Sequence, residues 1–220
     1  MNRLTLGKMQ NPIRGFLHGG AAVATLVGLI LLVIRAWGSA AGIVGALVFG
    51  LALLVMYTVS SLYHSIPWGN DWKVRLQRID HSMIYLVVAG TFTPIAIAAL
   101  DGVALGVGLG LLWGIAITGV FLKSLLPSVK TWLSVTLQLA MGWIAIVWIP
   151  RIVDELGVGA VVLILLGGLC YTVGAVIFLT KWPRLLPRSF SYHELFHVLV
   201  VTASILHFMA IWIYAIPATL

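Results

Sequence analysis

Long apolar runs separated by short polar breaks dominate the chain. Seven of them, at roughly 16–36, 41–63, 79–100, 103–122, 131–150, 158–180 and 192–216, match the ~20 residues an α-helix needs to cross a bilayer core. Runs and loops together use up all 220 residues. Residues 1–220 are therefore expected to form a single all-α seven-transmembrane helical bundle with no soluble domain. Arg3, Lys8 and Arg14 ahead of the first run imitate a signal peptide, but the run is uncharged from Phe16 to Ile34. That exceeds the ~7–15 apolar residues of a cleaved leader, so it reads as a retained first span.

Charge then orients the bundle. Only 9% of residues are charged and 61% are hydrophobic, against about 25% charged in a soluble domain. The net charge of +7 could suggest nucleic acid, but its distribution suggests lipid headgroups instead. Lys and Arg at 3, 8, 14, 73, 75, 78, 123, 130, 181, 184 and 188 fall on one side of the seven-span arrangement, with Arg35 and Arg151 on the other. The positive-inside rule then places the N-terminus in the cytoplasm and the C-terminus outside, in a plasma (inner) membrane. Trp37, Trp68, Trp72, Trp132, Trp148 and Trp182 lie near span ends, where indole rings anchor at the interface. The single cysteine, Cys170, gives no disulfide framework and no thiolate metal site. Gly106, Gly110 and Gly114 are spaced for close helix packing, and Pro94 is expected to bend span three.

A few ionisable residues remain within the spans. His193 and His197 are four apart at the start of span seven, so their imidazoles share a helix face. His64 ends span two with Ser60 one turn deeper, and Asp80 opens span three. All lie at similar depth near the cytoplasmic side, and an unpaired ionisable group inside a membrane costs at least ~2.5–3.5 kcal/mol by insertion scales. Three neutral imidazoles suit Zn²⁺, with Asp80 placed to hold a water or take its proton. Asp80 could instead pair with Arg75 or Arg78, and Ser60 could bond its own helix. His18 and His81 fit hydrogen-bonded packing better than ligation. His207 lies about 21 Å beyond His193 along the helix, which suits cavity lining or packing. Gln138 suits an interhelical hydrogen bond. His193-Glu194-x-x-His197 also satisfies the zincin pattern, in which the glutamate is a general base. Glu194 is thus a second candidate carboxylate, or a headgroup-level charge.

Taken together, Ser60-x-x-x-His64, Arg78-Ile79-Asp80-His81-Ser82-Met83-Ile84-Tyr85, Ala89-Gly90-Thr91-Phe92-Thr93-Pro94, His193-Glu194-x-x-His197 and Leu206-His207-Phe208 resemble the haemolysin III family. This is the bacterial branch of the progestin and adipoQ receptor family. The resemblance implies a seven-helix fold with an internal N-terminus. It also implies zinc held by His64, His193 and His197, with Asp80 contacting it through water. The wider superfamily includes ceramide amide hydrolases. In the first span the family usually has an acidic residue, an Asn and a Thr before the histidine, where this chain has Asn11, Arg14 and Leu17.

The leading expectation is therefore zinc-dependent hydrolysis of a membrane-lipid amide or ester, with Asp80, Ser60 and Glu194 as catalytic candidates. The alternatives are a non-catalytic zinc-containing sensor or regulator of membrane state and, ranked lower, a pore-forming cytolysin. The expected partner is a membrane lipid. The residues name neither the lipid nor an oligomeric state.

Overall fold

In a computed structural model, residue 9 and residues 11–126, 129–186 and 189–220 are described. Arg3, Lys8 and Arg188, three of the residues behind the expected orientation, lie outside the described residues. The chain forms helices α1 (Pro12–Arg35), α2 (Ala40–Ser65), α3 (Asn70–Ala99), α4 (Gly102–Leu125), α5 (Thr131–Ile144), α6 (Ile149–Thr180) and α7 (Tyr192–Ala210). A 3₁₀ turn at Ala145–Trp148 joins α5 to α6, and a π turn at Ile211–Ala215 extends α7. Among the described residues there is no strand, and Leu186 and Phe190 form an isolated antiparallel bridge.

Among the described residues, six helical stretches are long and apolar enough to cross a membrane. One of them, Thr131–Thr180, is 50 residues long. It is not straight. Gly157 sits at φ 80° and ψ 167° inside α6, a conformation that glycine alone adopts readily. Beyond this break the chain returns alongside α5, where the Trp143 indole donates to Thr172 Oγ1 at 3.1 Å. On a continuous helix those residues would stand roughly 43 Å apart.

The helix starts follow from local chemistry. Pro12 opens α1, where its missing N–H costs nothing. Ser191 caps α7, its side chain accepting from the Glu194 amide while the Glu194 carboxylate accepts from the Ser191 amide. The third helix begins at Asn70, nine residues before the apolar run. Asp71 in its first turn suits the positive helix terminus, and Lys73, Arg75, Leu76, Gln77 and Arg78 are good helix formers. Polarity ends the membrane stretch there, but it does not end the helix.

α3 is the central element. Its most apolar window is 72% buried, against 17% for α1 and for α4. The outer faces carry exposed Val23, Val27, Ile30, Ile34, Ile117 and Phe121, the apolar surface expected against acyl chains. α1 reaches α2 closely because Gly50 lies under Leu29. Helix α3 runs unbroken through Pro94, which packs on Gly45 of α2. Its neighbours Thr91, Phe92 and Ile95 instead line a cavity of about 160 Å³ between α3, α5, α6 and α7.

Candidate metal centre

At one end of the bundle α2 delivers His64 to the first turns of α7. Ligand nitrogens of His64, His193 and His197 lie within 4.8 Å of one another. Ring centroids are 5.0 Å apart for His64–His197 and for His193–His197, and 5.3 Å for His64–His193. Nitrogens in a tetrahedral zinc site with ~2.0–2.1 Å bonds stand roughly 3.4 Å apart. His197 Nδ1 makes no hydrogen bond, although it is buried. An imidazole triangle of this kind fits a borderline-soft divalent cation such as zinc.

The surroundings are built from four helices. His18 of α1 is 3% exposed and stacks on His197, with centroids 3.9 Å apart and planes 24° apart. It therefore belongs to the site's wall, packed as expected but by ring stacking, since neither ring nitrogen makes a hydrogen bond among the described residues. Tyr57 presents its ring edge to His18 at 4.9 Å and donates its hydroxyl to Ser204 Oγ at 2.8 Å. Phe178 and Phe196 flank His193 at 5.3 and 6.2 Å. α1 is held in place here by the Asn11 amide, which donates to the His64 carbonyl, and by Ser61, which donates to the Gly15 carbonyl.

The carboxylates have distinct partners. Asp80 is buried and hydrogen-bonds the side chain of Ser60, one turn before His64. It is not one of the clustered ligand groups, and its link to the triangle runs through Ser60, one turn from His64 on α2. Neither Arg75 nor Arg78 forms an ion pair with it among the described residues. Glu194 points to α1. Its Oε1 accepts from Arg14 Nε at 2.7 Å, and Oε2 accepts from the Ser191 amide at 2.9 Å. Side-chain exposures of 5% and 9% make Arg14–Glu194 a buried pair. A headgroup-level position for Glu194 is thus replaced by an interhelical one, because Arg14 supplies the countercharge inside the bundle.

The other singled-out polar residues stand apart from the triangle. The His81 ring meets Phe178 at 5.6 Å and lines the cavity. Gln138 donates to the His81 carbonyl at 2.8 Å, the interhelical bond its position suggested. His207 lines the same cavity farther along α7. The partnership of Arg14 with Glu194, and the Tyr57–Ser204 bond, carried no periodic signal. Arg14, just ahead of the first apolar run yet already inside α1, was the one available hint.

Comparison with known proteins finds relatives over most of the chain. The haemolysin-III related family model matches residues 7–208. Hemolysin-3 of Bacillus cereus is 32% identical over 219 residues, covering 99% of this chain and 97% of the relative. The Hemolysin-3 homolog of Bacillus subtilis is 30% identical over 201 residues, covering 90% and 91%. The monocyte to macrophage differentiation factor of Homo sapiens is 24% identical over 177 residues, covering 77% and 69%.

Proposed function

Since the chain belongs to the haemolysin III-related family of membrane proteins, we propose that it is a zinc-dependent hydrolase of a membrane-lipid amide or ester. The convergence of three imidazoles from two helices, with the buried Asp80 tied through Ser60 to the last turns of α2 that carry His64, supports this reading. His64, His193 and His197 would hold the metal. When bound, zinc supplies Lewis acidity toward a scissile carbonyl and makes a nearby water acidic near neutral pH.

The protein's own groups do the rest. Asp80 orients the attacking water and takes its proton, and the Ser60 hydrogen bond fixes the carboxylate for that task. Glu194 holds the first turn of α7 through Ser191 and Arg14, a positioning role that leaves Asp80 as the base. Phe178 and Phe196 contact His193 and also line the long apolar cavity. An acyl chain in that cavity would present its head to the imidazoles and be screened from water.

For topology we propose seven spans, with the N-terminus cytoplasmic, the C-terminus outside and the site near the cytoplasmic face of the plasma membrane. The hairpin within Thr131–Thr180 supports the count, and the one-sided Lys and Arg distribution supports the orientation.

The test is fatty-acid release by purified, zinc-loaded protein from ceramides, other acyl amides and phospholipids. Asp80→Asn should abolish release while retaining zinc. Absence of release from every substrate would overturn the catalytic reading. A second reading, a structural clamp, draws on the fact that the triangle joins α2 to α7. It predicts no response to Asp80→Asn.

A further inference from the structure

The cavity between α3, α5, α6 and α7 is apolar along most of its wall. Near the imidazoles it is bounded by His81, Phe178 and Phe196, and farther along by Thr91, Ile95 and His207. From His81 to Ile95 is fourteen residues of α3, about 21 Å of rise. At the far end two polar atoms are left over. Thr91 Oγ1 and His207 Nδ1 make no hydrogen bond, although Thr91 is 8% and His207 7% exposed. Buried polar atoms of this kind are normally satisfied.

His207 is built to face the cavity. Its ring packs over Gly167 of α6, where any side chain would collide with it. Nε2 lies 3.2 Å from the Ile164 carbonyl. The carbonyl only accepts, so Nε2 carries the proton and Nδ1 is left as an acceptor. Thr91 offers a hydroxyl that can donate or accept. Both residues line this cavity, Thr91 eleven residues past Asp80 and His207 ten past His197, roughly 15–17 Å along their own helices.

We propose that the cavity takes a long-chain lipid bearing a hydroxyl on its chain, read by His207 and Thr91. The inference rests on the acyl-chain reading of the cavity given above. A hydroxyl can donate to His207 Nδ1 and accept from Thr91. A carboxylate or ketone cannot donate at all. With ~1.5 Å carbon–carbon bonds a zigzag chain advances roughly 1.25 Å per carbon. The height above the imidazoles then places the hydroxyl about twelve or thirteen carbons from the head.

The experiment compares binding of 12-hydroxyoctadecanoate and octadecanoate to the full-length protein in detergent, followed by native mass spectrometry and tryptophan fluorescence. The hydroxylated acid should bind about tenfold more tightly, the worth of one hydrogen bond to an otherwise unsatisfied buried group. His207→Phe and, separately, Thr91→Val should bring its affinity down toward that of octadecanoate. If the Phe variant does not fold, the Val variant alone decides. Equal affinities in the wild-type protein would mean that the two atoms serve buried water only. That would overturn the hydroxyl site and leave the acyl-chain reading standing. Binding of neither acid would overturn both, and a preference that survives both variants would overturn the assignment to these residues.

Discussion

Replacing Arg14 by Met should loosen the contact that sets α7 against α1. The Arg14–Glu194 pair is 2.7 Å long with both side chains at least nine-tenths buried. At an effective dielectric of about 20, two charges at that distance attract by roughly 6 kcal/mol. Removing one partner leaves a buried charge uncompensated, which costs about 3–5 kcal/mol. For a chain of this size that is a fall in melting temperature of roughly 10 °C. Glu194→Gln keeps an acceptor for the Ser191 amide, so its cost isolates the charge. The double variant R14M/E194Q removes both charges and should recover most of the loss. Thermal unfolding of the four detergent-purified proteins closes the cycle, with an expected coupling of at least about 2 kcal/mol. Additivity within about 0.5 kcal/mol would refute the argument, and so would an R14M protein as stable as wild type.

Ser204 accepts from Tyr57 at 2.8 Å and sits 3.1 Å from the Tyr171 hydroxyl, so it ties α2, α6 and α7 together. Ser204→Ala should cost about 1–2 kcal/mol in thermal unfolding, and a neutral result would show that the tyrosines find other partners. A methyl group on Gly50 would lie 2.5 Å from Leu29 Cδ1 and 2.9 Å from Leu29 Cβ. Gly50→Ala should therefore destabilise by about 1–3 kcal/mol. Gly110→Ala, with nothing within 4 Å, should be neutral or slightly stabilising; equal effects would contradict the packing argument. In a Cys170→Ala background, Glu155→Cys should react with a membrane-impermeant maleimide on intact cells, whereas Lys181→Cys should react only after permeabilisation. The reverse pattern would invert the proposed orientation.

How much of this was legible in the sequence depends on the range of the interaction. The spacing of His193 and His197 fixes a shared face by helix geometry alone, and matching depth brings His64 to them. The break at Gly157 coincides with the gap between the fifth and sixth apolar runs. Relations between helices were harder to read. That His18 stacks on His197, and that Glu194 turns to Arg14 and away from the cavity, depends on the azimuth of α1 against α7. No periodicity within either helix encodes that angle. Arg14 stands where the family usually has another residue, and here it brings a countercharge for Glu194 across 180 residues of sequence. The early start of α3 was obscured for a different reason. Hydropathy marks where the bilayer ends, while capping and propensity mark where the helix ends.

The account depends most directly on a single cation at the imidazole triangle. Elemental analysis of the detergent-purified protein, run beside His64→Ala, His193→Ala and His197→Ala, measures it. The expected result is one zinc per chain in the wild-type protein and loss of most of it in each variant, with the wild-type X-ray absorption spectrum fitting nitrogen ligands at about 2.0–2.1 Å. Zinc at the buffer background in the wild-type protein, or full retention after any one of the three substitutions, would contradict it.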